Sequence, residues 1–150
     1  MALAYDSPVA AAKIRKAGSA DAVFYAELIG QLGYSAAVEE TRGRMEQLAQ
    51  DGQIMLAAEL DGEPAGIAVM QIYSVLVQDA AICRLAVLAV AEWARRRGVG
   101  RALTLAVEAE ARRSGCDRVV LESAVWRDEA HEFYRSCQYE STAHGFQKRF

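Results

Sequence analysis

Residues 92–104 read EWARRRGVGRALT: three consecutive arginines, a turn spaced by Gly98 and Gly100, then helix-forming residues. Upstream, Ala80 to Val90 is a β-like run; downstream, Gly100 to Arg113 reads as a helix that stops at Ser114-Gly115. A strand that enters a glycine-spaced turn and opens a helix aims several backbone N–H groups at one point, where the helix dipole adds positive potential. Gly98 and Gly100 let the backbone approach a bulky oxyanion with no Cβ in the way, and Arg95, Arg96, Arg97 and Arg101 supply charge around it. The junction therefore predicts a pyrophosphate site. The competing reading is a plain helix N-terminus with solvated arginines, an arrangement that opposes the helix dipole.

Two familiar phosphate loops fail on these letters. A nucleotide-hydrolysing loop ends in Gly-Lys-Ser/Thr, whereas Gly100 is followed by Arg101 and Ala102. The dinucleotide fingerprint needs a third glycine where Leu103 stands, and it belongs in a first βα unit rather than two-thirds along a chain.

Working outward, Asp61-Gly62 is a two-residue hairpin turn between the β-like runs Ile54 to Leu60 and Glu63 to Tyr73. Before it lie a short strand at Lys13 to Lys16, a helix from Ser19 or Asp21 to Gly33, and a second helix over Val38 to Gln50. After the junction come a strand at Arg118 to Ser123, a helix at Asp128 to Arg135 and a closing hairpin at Tyr139 to Phe150. The order β-αα-βββ-α-β-α-ββ predicts an α/β fold of the mixed α+β kind, one sheet flanked by helices. With 150 residues and neither repeat nor linker composition, residues 1–150 read as a single domain.

Charge narrows the function classes. Seventeen basic against 20 acidic side chains leave a formal net charge of −3, which offers no general attraction to nucleic acid or anionic membrane. Cys83, Cys116 and Cys137 lack CxxC or His-paired spacing, so no disulfide framework or metal site is expected. The longest apolar run, Leu85 to Ala91, is far short of a membrane span, and the first residues lack an export signal, so the expectation is a soluble cytoplasmic protein.

Arg95-x-x-Gly98-x-Gly100 followed by an amphipathic helix resembles the acetyl-CoA pyrophosphate loop of the GNAT N-acetyltransferases, whose signature is Gln/Arg-x-x-Gly-x-Gly/Ala. Ala130-His131-Glu132-Phe133-Tyr134-Arg135-Ser136-Cys137-Gln138-Tyr139 resembles that family's second signature, Ala-x-x-Phe-Tyr-x-x-x-Gly-Phe/Tyr. The resemblance runs from Ile14 nearly to the end, where Gly145 to Phe150 is similar to the final strand of bacterial aminoglycoside-acetyltransferase-like members. It implies a central twisted, mostly antiparallel sheet of six to seven strands with about four helices, acetyl-CoA as cosubstrate, and no metal.

The resemblance also implies roles. Arg95 opens the loop signature, and Arg96, Arg97, Gly98, Val99, Gly100, Arg101 and Ala102 would hold the pyrophosphate. Backbone groups at Leu88, Ala89 and Val90 would take the pantetheine arm and polarise the thioester, although apolar side chains there are equally core. Tyr134 would meet the cofactor and protonate the departing thiolate, or else pack with Phe133 against the sheet. The glutamate that usually serves as base aligns with Ala86, leaving Glu122 as first replacement, with Asp79, Glu92, a water chain or an acceptor already partly deprotonated behind it. Arg127 stands where an Asn is usual and Gln138 where a Gly is usual; His131 reads as exposed, and Trp126 as a pocket wall or plain packing. Tyr34, Glu39, Tyr73 and Asp79 are candidates for the acceptor site.

The implied function is acetyl transfer to a primary amine of a small molecule, aminoglycoside- or polyamine-like, by direct attack in a ternary complex. Alternatives are a peptide or protein N-acetyltransferase, and a regulatory module that binds acyl-CoA without chemistry. Homodimers are common among such relatives.

Overall fold

The computed structural model describes residues 12–150, so the first residues, on which the expectation of an unexported chain rests, lie outside the described range. Two compact units divide the chain, one ending at Val120 and the other formed by Leu121–Phe150.

The first unit carries the sheet. Strands β1 (Lys13–Lys16), β2 (Ile54–Leu60), β3 (Glu63–Tyr73), β4 (Ala81–Val90) and β5 (Cys116–Leu121) lie side by side in chain order. The pairs β1–β2, β2–β3 and β3–β4 are antiparallel. Asp61 at φ 54° and Gly62 at φ 80° give the turn two positive dihedrals, the type I′ condition, and Leu60 pairs with Glu63 across it. Helices α1 (Ala22–Gln31) and α2 (Val38–Gln50) precede the hairpin, and α3 (Val99–Arg113) follows β4.

Alternation along β3 sorts the helices between the faces of the sheet. A Cβ on Gly66 would stand 2.9 Å from Leu103 Cδ1 and 3.0 Å from Val99 Cγ1, so this side carries α3 at the closest approach a strand allows. The neighbouring Ile67 and Val69 line a cavity with Tyr25 of α1 and Met45 of α2. Val99, Leu103 and Val107, spaced four apart on α3, are fully buried, and each such side chain contributes about 1.5–3 kcal/mol. The Tyr25 hydroxyl donates to the Leu56 carbonyl at 2.8 Å, tying α1 to β2.

A charged cluster closes the start of the chain. Arg15 donates to both carboxylate oxygens of Asp21, at 2.7 and 3.1 Å, and to Glu59 at 2.8 Å; the Gly18 N–H donates to Asp21 at 3.0 Å. Asp21 stands at the N-cap of α1, but its side chain serves these partners and makes no capping bond. The Arg15 hydrogen bonds, despite an opposing cost of burial, hold the Asp21 carboxyl below the usual carboxylate range. Because the folded pKa is depressed, the stability Asp21 supplies is complete above the unfolded value near 4 and is lost as pH falls through the folded one. Asp21→Asn should cost about 1.5 kcal/mol at pH 7, discounted for the partial exposure of Arg15, and lower Tm by about 3–6 °C. Melting both proteins between pH 7 and pH 2 checks this: the difference should shrink only below about pH 4.

The second unit contains α4 (Asp128–Ser136). Asp128 and Glu129 in its first turn and Arg135 in its last complement the helix dipole. The expected closing hairpin at 139–150 does not form, so among the described residues the sheet has five strands rather than six to seven. Physically, Glu140 to Gly145 contains no alternating apolar face to bury, and all of residues 140–150 are exposed; a two-stranded hairpin without a buried face is marginal. The fifth strand also starts and ends two residues earlier than Arg118 to Ser123. Gly115, at φ 76°, turns the chain straight out of α3 into β5, leaving Glu122 and Ser123 beyond the strand.

Candidate active site

The junction after β4 is built from backbone. Ala91 N–H donates to the Ala65 carbonyl at 2.8 Å, and a single 3₁₀ turn over Glu92–Ala94, with Ala94 fully buried, anchors the chain to the unit. Arg96 then takes φ 59° and Gly98 φ 82°, two left-handed residues in three. Gly98 is the N-cap of α3, and its carbonyl accepts the first helical bond, from Ala102 N–H at 3.0 Å. Having no side chain, it supplies no side-chain cap, so the N–H groups of Val99 and Gly100 have no acceptor from the helix or from the cap. Such an uncapped start is suited to an anion.

The arginines divide. Arg97 donates to Asp61 at 2.8 Å and lies 5.7 Å from the centre of the Trp93 ring, bracing the turn against the β2–β3 hairpin. Arg95 Nε donates to the Val90 carbonyl at 3.4 Å. Arg96 and Arg101 are exposed. Leu88, Ala89 and Val90 pair with Ala68, Ile67 and Gly66, so the end of β4 and the start of α3 meet over the same glycine.

Upstream, the register slips: Val87 pairs with Val69 and Leu85 with Met70, leaving Ala86 as the extra residue of a β-bulge. Bulges re-aim side chains, and here Ala86 and Val87 line a cavity of about 240 Å³ between the sheet and helices α1 and α2. Thr41, Met45 and Leu48 of α2 face it at helical spacing, with Arg44 beside them. Thr41 is 2% exposed, and its hydroxyl has no hydrogen-bond partner. Sequence reasoning missed this constellation, although the 41-44-45-48 spacing on α2 was the available signal. The residues it offered for an acceptor site lie elsewhere: Tyr34, Glu39 and Asp79 are exposed and Tyr73 half-buried, and none lines the cavity.

In the second unit, Tyr134 sits on α4 between two rings, 5.3 Å from Phe133 and 5.8 Å from Tyr139, both edge-on. Burial, only partly offset by Arg127, raises its phenol above the ordinary value, so it is a neutral proton donor at pH 7. The helix ends with Gln138 at φ 67°, its N–H donating to the Arg135 carbonyl and that of Tyr139 to the Tyr134 carbonyl. This left-handed terminus explains why a glycine suits the position, and Gln138 holds it at a cost of about 1–2 kcal/mol. His131 is half-buried rather than exposed, while Trp126 and Glu122 are exposed.

Cys83 is completely buried, and burial, with a smaller contribution from Cys116, pushes its thiol up to about 11; burial raises Cys116 as well. Among the described residues, no group of His, Cys, Asp and Glu is arranged to hold a metal, and no helix is long and apolar enough to cross a membrane.

Comparison with known proteins adds three findings. The profile of the acetyltransferase (GNAT) family matches residues 23–139, a range running through both units. An aminoglycoside N(6′)-acetyltransferase type 1 from Stenotrophomonas maltophilia is 32% identical over 135 residues, 86% of each chain. Among solved structures, an aminoglycoside N-acetyltransferase in complex with CoA is similar with a TM-score of 0.81 at 20% identity, over 93% of this chain and 94% of its own. Glucosamine-6-phosphate N-acetyltransferase from Arabidopsis thaliana aligns with a TM-score of 0.80 at 22% identity, over 93% and 98%.

Proposed function

Because the chain belongs to the GNAT acetyltransferase family and is an N-acetyltransferase, we propose that it moves the acetyl group of acetyl-CoA to a primary amine of a small molecule, within a single domain and without a covalent enzyme intermediate. The observation that carries this reading is the uncapped start of α3 behind two left-handed residues, Arg96 and Gly98. The N–H groups of Val99, Gly100 and Arg101 take the pyrophosphate, and Arg96 and Arg101 add charge at its edge. The pantetheine arm runs along the end of β4 at Leu88, Ala89 and Val90.

The amine nitrogen attacks the thioester carbonyl carbon, the C–S bond breaks with its electron pair going to sulfur, and the Tyr134 phenol gives the thiolate its proton. The surplus proton on nitrogen leaves to Glu122 or through water. Cys83 has no part as a nucleophile: its thiol is buried and protonated at neutral pH. The acceptor named for the S. maltophilia relative makes aminoglycosides and other small amines the reference substrates.

The test is calorimetric titration with acetyl-CoA, followed by detection of thiol release with a panel of amines. Saturable micromolar binding and amine-dependent release are expected. Absence of binding at high micromolar cofactor would remove the reading.

A further inference from the structure

From the cavity between α1, α2 and the bulge of β4, we propose that the acceptor is a primary amine on one compact apolar group, a single aromatic ring or branched alkyl chain, rather than a polycation. The inference rests on the acetyl-transfer reading and narrows its substrate class.

Three observations carry it. The cavity holds about 240 Å³, whereas an apolar cavity of about 150 Å³ is enough for benzene, so one ring with a short arm fits and an oligosaccharide does not. Its wall is made by side chains such as Ile29, Met45, Leu48 and Val69, and no Asp or Glu lines it. The one charged group there is Arg44, a cation, paired at 3.6 Å with Glu40, which does not line the cavity. A ligand with several ammonium groups would lose hydration there and gain no counter-charge. An apolar body loses nothing by entering.

The cavity also has a direction and an unfilled hydrogen bond. It reaches β4 at Ala86 and Val87, immediately before Leu88, so an amine at that end lies beside the strand assigned to the thioester, with its body between α1 and α2. At residue 86 this end of the cavity presents only a methyl group. The unpartnered Thr41 hydroxyl, buried at 2% exposure, leaves one hydrogen bond for a polar atom on an otherwise apolar ligand.

The experiment compares phenethylamine, isopentylamine, spermidine and kanamycin as acceptors by thiol release, with acetyl-CoA affinity measured on the same protein. Phenethylamine or isopentylamine should exceed both polycations by at least about 10-fold in kcat/KM. Leu48→Trp, which fills the cavity from α2, should lower kcat/KM for the preferred amine by about 20-fold or more while leaving acetyl-CoA affinity within about twofold, the latter reporting an intact fold. Preference for spermidine or kanamycin, indifference of the preferred amine to Leu48→Trp with cofactor binding retained, or cofactor binding with no release from any of the four overturns the acceptor class alone. Failure to bind acetyl-CoA overturns the acetyl-transfer reading, and the acceptor class with it.

Discussion

Gly98→Val should abolish useful acetyl-CoA binding while leaving a folded protein. Two effects add. At φ 82° a β-branched residue is strained, which costs the fold about 1–2 kcal/mol and lowers Tm by about 2–8 °C. On the proposed reading its methyl groups would also stand where the phosphate oxygens approach the N–H groups of Val99 and Gly100, which have no acceptor in the helix or its cap. Losing those charge-assisted bonds should weaken acetyl-CoA by about 100-fold, equivalent to about 2.8 kcal/mol. Titration calorimetry of wild type and variant, alongside melting curves, separates the two effects. A variant that melts lower but binds normally would mean that the anion sits elsewhere.

Tyr134→Phe should instead spare binding and slow turnover. Removing the hydroxyl leaves the ring between Phe133 and Tyr139, so the packing of α4 survives. A general acid typically contributes 10²–10⁴ in rate, and kcat should fall about 100-fold while acetyl-CoA affinity stays within about twofold. Because burial raises the phenol, the wild type should keep its acid through pH 9, with any alkaline limb from this group falling above the ordinary tyrosine value near 10. A thioester analogue whose leaving thiol is more acidic needs the proton less, so the deficit of the variant should shrink with it. An equal deficit for both donors would make Tyr134 a positioning residue.

Much of this was legible in local sequence. The boundaries of α2, β2 and β3 coincide with those expected from periodicity, because each is set by punctuation that acts within a few residues: Asp51-Gly52 after the helix, and Asp61-Gly62 within the hairpin. The turn at Gly98 was legible for the same reason. What could not be read depends on distant parts of the chain. The cavity is assembled from α1, α2 and three strands, and no window of the sequence contains it. The bulge at Ala86 arises from pairing between β3 and β4, so the place of residue 86 in the apolar wall could not be read from its own neighbours in sequence. The residues at 139–150 had strand-like letters at their ends but no buried face between them.

Gly66 gives the molecule a gauge. It pairs with Val90 at the end of β4, and the space where its Cβ would stand is taken by Val99 and Leu103, from the first turns of α3. The Ala89 carbonyl, 3.1 Å from that same position, closes the third side. One hydrogen atom therefore sets the separation between the strand assigned to the thioester and the helix start assigned to the pyrophosphate. A cofactor held at both ends has a fixed length between them, and a methyl group at residue 66 would lift one end by several tenths of an ångström while the other stayed in place. On the proposed reading, the hydrogen of Gly66 is thus the ruler against which the long arm of acetyl-CoA would be measured.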